Sequence, residues 1–302
     1  MRNVYLRYAA LAALIVALAF GPRPGAARQP QTGEGPAPGK LPDILGLTTG
    51  MPLQQAIDLM KAHDPAHTVK VSQWIIPQAF GEKPVTHHLS TATTGEDDTL
   101  DVDITLPPQP QVVWKIHRVI GNVNQFTSTL NNVLNGLYQK YGTPWNPNPG
   151  LPLGTGDLQW WFNDQGQPAN PTAPADIFTR KGCQGTMMQE WTIISGSGHD
   201  LNPGQGPNAT LEVHRFDPRS GIVNMPASYD PAKNPQCDNL VFVQTEINGG
   251  ANDLKFSMQF SIYDYPLQHR TSIPVNDTLN AAVQRGIQQQ QNNLSKAPLP
   301  KL

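Results

Sequence analysis

The chain has 302 residues, with 21 Lys and Arg against 23 Asp and Glu, a formal net charge of −2, and 15% charged residues beside 30 prolines and 26 glycines. This near-neutral balance lacks the basic footprint that nucleic acid or an anionic membrane surface selects. The length suits one large domain or two small ones, and the turn-forming residues, with no three-residue glycine period, exclude a collagen-like chain and favour short strands with long connections.

Arg2 and Arg7 precede an apolar run from Ala9 to Phe20, and GPRPGAA then offers a small-residue cleavage site after Ala27. That is the pattern of an export signal. The run is shorter than the ~20 residues a membrane span needs. No cysteine lies near the cleavage site to carry a lipid anchor. Residues 1–27 therefore read as a signal peptide, and the mature protein is expected to be periplasmic or secreted, without a stable membrane anchor. Cleavage would remove three arginines and no acids, taking the formal charge from −2 to −5. Residues 28–42, poor in apolar side chains, read as a flexible linker. The two cysteines, Cys183 and Cys237, read as one disulfide in an oxidising compartment.

Pro52 is expected at the first position of a helix with Leu53, Ala56, Ile57 and Met60 on one face, stopped at His63-Asp64-Pro65. A strand follows over 69–76, and a weaker candidate over 85–92. TLDVDITL (99–106) alternates, with Leu100, Val102, Ile104 and Leu106 on one face and Asp101, Asp103 and Thr105 on the other, as a half-buried strand does. Residues 111–120 repeat the pattern. The spacing of Leu130, Val133, Leu134, Leu137, Tyr138 and Tyr141 predicts a helix over 128–144, capped by Thr127 or Ser128 and ended by Gly142 and Pro144. Strands are predicted over 157–162, 190–195, 210–216, 238–247 and 254–264, with NGGAND as a hairpin turn between the last two. A final helix is predicted over 277–296, fraying in its Gln-rich second half.

Grouped strands with occasional helices predict an α+β fold: antiparallel sheet with a few helices packed on one face. The order hints at two related halves, 43–144 and 145–302, each a helix followed by a meander.

Two stretches carry a resemblance. LTTGMPLQQAIDLM (47–60) resembles the Leu-x-x-Gly-Met segment of small bacterial envelope proteins, among them the small lipoprotein of the outer-membrane β-barrel assembly machinery. LYQKYGTP (137–144), followed by DLQWWF, resembles the same proteins' helix end and Trp-rich strand. The tandem helix-meander unit is similar to that of β-lactamase-inhibitory-protein-like chains, and the whole looks like uncharacterised periplasmic proteins of proteobacteria. Pro52 stands where the family has a capping Ser or Thr. The resemblance implies an envelope setting, binding to other proteins, and no catalytic residues.

Candidate chemistry is sparse. His63 and His67 are separated by the helix-breaking Asp64-Pro65, so they cannot share a helical face as metal ligands do. His87 and His88, adjacent on a strand, are expected on opposite faces. His117 and His214 each sit within a predicted strand beside an arginine. Asp97, Asp98, Asp101 and Asp103 form the main acidic cluster, without EF-hand spacing. SGSGHD (195–200) lacks the elbow of a serine hydrolase. No Walker A or Rossmann glycine pattern occurs, so no metal or cofactor is expected. Adjacent Trp160 and Trp161 should face opposite sides of a strand, leaving one exposed, and with Trp145 they are the expected binding residues.

These observations point to an exported, non-catalytic binding or envelope accessory protein whose partner is another envelope protein or a glycan. The alternative is a hydrolase of envelope material, using acids from 97–103 and His117 or His214. His117 or His214 within hydrogen-bond reach of a cleft carboxylate would favour the alternative, whereas scattered histidines and an aromatic concave face would favour binding.

Overall fold

Residues 40–63, 68–92, 98–121, 129–144, 155–169, 192–193, 211–215, 223–224, 240–248 and 257–296 are described in the computed structural model. Residues 1–27, Trp145, Cys183, Cys237 and residues 249–253, where the hairpin turn is predicted, lie outside them. The helices are α1 (Leu53–His63), α2 (Pro77–Phe80), α3 (Leu130–Tyr141) and α4 (Tyr265–Ser295). The strands are β1 (Thr68–Ile76), β2 (Gly81–Ala92), β3 (Asp98–Ile104), β4 (Val113–Ile120), β5 (Thr155–Asn163), β6 (Thr192–Ile193), β7 (Leu211–Arg215), β8 (Val223–Asn224), β9 (Leu240–Asn248) and β10 (Ser257–Asp264).

One sheet dominates, in the order β5-β9-β10-β4-β3-β2-β1-β7. Its pairings are antiparallel except β1 with β7, which run parallel. With its helices this is the expected α+β architecture. β1, β2, β3 and β4 lie side by side in chain order, β5, β9 and β10 come in from the other edge until β10 pairs with β4, and β7 adds outside β1.

The period-two pattern sets what each face carries. Val71, Leu89, Val102, Ile116, Ile262, Val243 and Trp160 stand opposite one another in a single row across seven strands. That row joins one apolar cluster with Ala56 and Met60 of α1 and Tyr141 of α3. Each fully buried Leu or Ile there contributes about 1.5–3 kcal/mol. The opposite face carries two different rows. One reads Ser90, Asp101, His117, Ser261, Gln244, Gln159, and the other His88, Asp103, Lys115, Tyr263, Phe242, Trp161.

Three helices differ from expectation at their starts: α3 begins at Leu130 after Thr129, which makes no side-chain cap bond, while the expected caps Thr127 and Ser128 lie outside the described residues. Pro52 is not the first helical residue of α1. It lies just outside, in a bridge with Val112, and its carbonyl accepts the first helical bond from Ala56 N at 3.1 Å. The last helix begins at Tyr265 rather than 277, because Asp264 caps it. Its carboxylate accepts from Leu267 N at 2.9 Å, and proline occupies the first turn, where no N–H is needed. This longer α4 carries Pro274 in its interior. Its Val275 and Leu279 pack with Trp74, Ile76, Val85 and Leu106 in a cluster separate from the main core. The end of α3 is as predicted: Gly142, at φ 81°, donates its N–H to Tyr138 O.

Candidate functional site

The polar face of the sheet bears a cluster of charged side chains at the floor of a cavity of about 370 Å3. Its position follows from strand register. Asp101 and Asp103 are two apart on β3 and so share a face. Asp103 stands opposite His88 of β2 on one side and Lys115 of β4 on the other, and Asp101 stands opposite His117.

His88 lies between both carboxylates. Its Nδ1 is 2.7 Å from Asp103 Oδ1, and its Nε2 is 3.3 Å from Asp101 Oδ1. Lys115 Nζ is 3.4 Å from Asp103 Oδ2 and lies over the Tyr263 ring, 5.8 Å from its centroid. Burial works against a charge on His88, but the hydrogen bonds to Asp101 and Asp103, and then their negative charges, outweigh it and push the imidazole up to about 9. Burial likewise works against the Asp103 carboxylate, yet the bond from His88 and the charge of Lys115 hold it below the usual carboxylate range. The cluster thus runs from Asp101 through His88 and Asp103 to Lys115 in a chain of contacts. His117 Nδ1 is 2.8 Å from Ser261 Oγ on β10.

A bulge overturns the expectation that His87 and His88 point to opposite faces. Ser72 pairs with His88 and Gln73 with Thr86, so His87 is the extra residue on β2. An inserted residue interrupts the alternation. Both rings now line the same cavity, and His87 stacks on Trp74 with centroids 3.8 Å apart and planes at 16°.

The remaining candidates disperse. Asp98 faces the other side of the sheet and pairs with Arg118, whose Nε is 2.9 Å from Asp98 Oδ1, so the acidic cluster does not converge as a calcium cage would. Among the described residues no group of three or more His, Cys, Asp or Glu is placed to hold a metal. His63 ends α1, exposed. His67, Asp97 and SGSGHD lie outside the described residues, as does the side chain of His214.

Neither Trp160 nor Trp161 is an exposed platform, since both are buried, at 2% and 5% exposure. Trp160 belongs to the apolar face, and its Nε1 donates to Gly142 O at 2.9 Å. Trp161 does point to the opposite face, as alternation requires. That face is also covered at this end of the sheet, where Trp161 packs on Phe242 with centroids 4.5 Å apart. The two indoles border a second cavity, of about 400 Å3, beside Pro144 and Pro168.

His88 and Lys115 were missed as site residues because the signal is relational. An Asp-x-Asp strand beside a His-His strand carries little meaning until β2, β3 and β4 are known to be neighbours in this register. Comparison with protein-family models, curated proteins and solved structures returned no match, so the geometry carries the functional reading.

Proposed function

We propose that this is an exported, non-catalytic binding protein, and that its ligand site is the cavity on the polar face of the sheet, floored by β2, β3 and β4. The observation that carries the reading is the two-carboxylate clamp on His88. An imidazole held as a cation between Asp101 and Asp103 has no lone pair to act as a general base. With its proton held that tightly it is also a weak acid at neutral pH. What the cluster offers is a rigid, charge-balanced set of hydrogen-bonding groups on strands, at the mouth of a cavity whose size is at the small end of the range for ligand sites, roughly 300–1,000 Å3.

The hydrolase alternative has one observation in its favour: acids of the 97–103 segment do meet a strand histidine, in the form of His88. The two readings separate experimentally. Polar small molecules from envelope extract are added to 15N-labelled protein, and the indole resonance of Trp74 and the imidazole resonances of His87 and His88 are followed. Saturable shifts confined to these residues, with the added molecules recovered intact, support binding. Turnover of an added glycoside or peptide that disappears in His88→Gln would favour the hydrolase. Resonances that never move would remove the site.

A further inference from the structure

The charge arrangement within the cavity restricts what can enter it. Asp103 is satisfied on both oxygens, by His88 on Oδ1 and Lys115 on Oδ2. Asp101 is not. Its side chain is the more exposed of the two, at 34% against 23%, and His88 approaches it on Oδ1, at 3.3 Å. Its Oδ2 therefore presents acceptor capacity beside the cavity.

An acceptor of this kind can take an ammonium group or a hydroxyl. A cationic ligand seated on Asp101 would meet the charge of His88, which touches the same carboxylate, and that of Lys115 one strand away. These cations offset the pull of the carboxylates, Asp103 included, so the formally balanced cluster gives an added cation no net attraction to repay its desolvation. An anionic ligand would meet Asp101 itself. A neutral molecule with several hydroxyls meets neither penalty. It can donate to Asp101 and use the imidazole of His117, which lines the same cavity, while its C–H surface lies against the stacked rings of Trp74 and His87 in the wall.

Resting on the reading of this cavity as a ligand site, we propose that it binds a neutral polyhydroxylated ligand, one or two sugar rings in size, with Asp101 accepting from the sugar hydroxyls. The full chain is titrated with three probes, cellobiose, N,N′-diacetylchitobiose and the diamine putrescine, and followed by the Trp74 indole resonance and by calorimetry. At least one of the two sugars should bind saturably, ten-fold or more tighter than putrescine, and Asp101→Asn should weaken it at least ten-fold while leaving the far-ultraviolet circular dichroism near wild type, with a melting temperature lowered by the loss of one partner of His88. If Asp101→Asn does not fold, Ser90→Leu, which puts a bulky side chain beside Asp101 in the same row, serves as the blocking variant. Putrescine shifting Trp74 while both sugars fail overturns the ligand class and leaves the site standing. No shift of Trp74 with any probe overturns both, and sugar binding that is unchanged in Asp101→Asn and in Ser90→Leu overturns the role given to this carboxylate.

Discussion

Replacing His88 with glutamine tests the charged cluster through stability. The imidazole rises from its ordinary 6.5 to about 9 in the folded protein, and each pH unit of such a displacement corresponds to about 1.4 kcal/mol. The product sets a ceiling of about 3 kcal/mol, and partial exposure of the side chain lowers the expected value to roughly 2 kcal/mol. Because the folded state binds this proton more tightly, the contribution is fully present below the unfolded value near 6.5. It is lost as pH rises through about 9. Asp103 acts in the opposite sense: its carboxyl is held down, so its contribution exists above the ordinary carboxylate value and is lost in acid. Urea unfolding, read by tryptophan fluorescence from about pH 6 to about pH 9.5, should show wild type more stable than His88→Gln at the lower end. The gap should close by roughly 2 kcal/mol towards the upper end. A gap that stays constant across this range would refute the clamp, since only a titrating interaction makes it vary.

Other expectations concern the frame that holds the site. Leu89, fully buried in the main cluster, should cost about 2–5 kcal/mol when cut to alanine, measured by denaturant midpoint at constant slope. Gly166→Ala should be strongly destabilising, by more than ~2 kcal/mol, because φ is +71° and a Cβ would sit 1.8 Å from the Lys40 carbonyl oxygen. Thermal melting with a control substitution at exposed Gly136, where a Cβ meets nothing within 4 Å, isolates that clash. Asp264→Ala removes the cap of α4 and should lower stability by ~1 kcal/mol, with amide exchange accelerating first at Leu267. Trp160→Phe keeps an aromatic ring but leaves space where the buried indole was and loses its bond to Gly142 O, at a cost of roughly 2–3 kcal/mol.

Much of the frame is legible from local pattern. The alternation in 99–106 places Leu100, Val102 and Ile104 inside and Asp101 and Asp103 together on the other face, as found. The 3.6-residue spacing of Leu130, Leu134 and Tyr141 predicts α3 and its glycine end. The site was far less legible, and two devices explain why. The bulge at His87 cannot be read from β2 alone, because it exists only in the mismatch with β1. The exposure expected for one of Trp160 and Trp161 failed because alternation says which face a side chain takes and not what covers that face. The early start of α4 depended on Asp264 finding Leu267 N, a local bond that strand periodicity running up to Asp264 conceals.

The amino-acid order by itself determined most of the long elements and, away from the bulge in β2, the side of each strand on which charge would lie, because those depend on neighbours two to four residues away. Tertiary structure alone decided that β2, β3 and β4 lie side by side in one register. Only that adjacency brings His88 between two carboxylates and Lys115 onto Asp103, since their interaction energy depends on distances of about 3 Å between residues far apart in the chain.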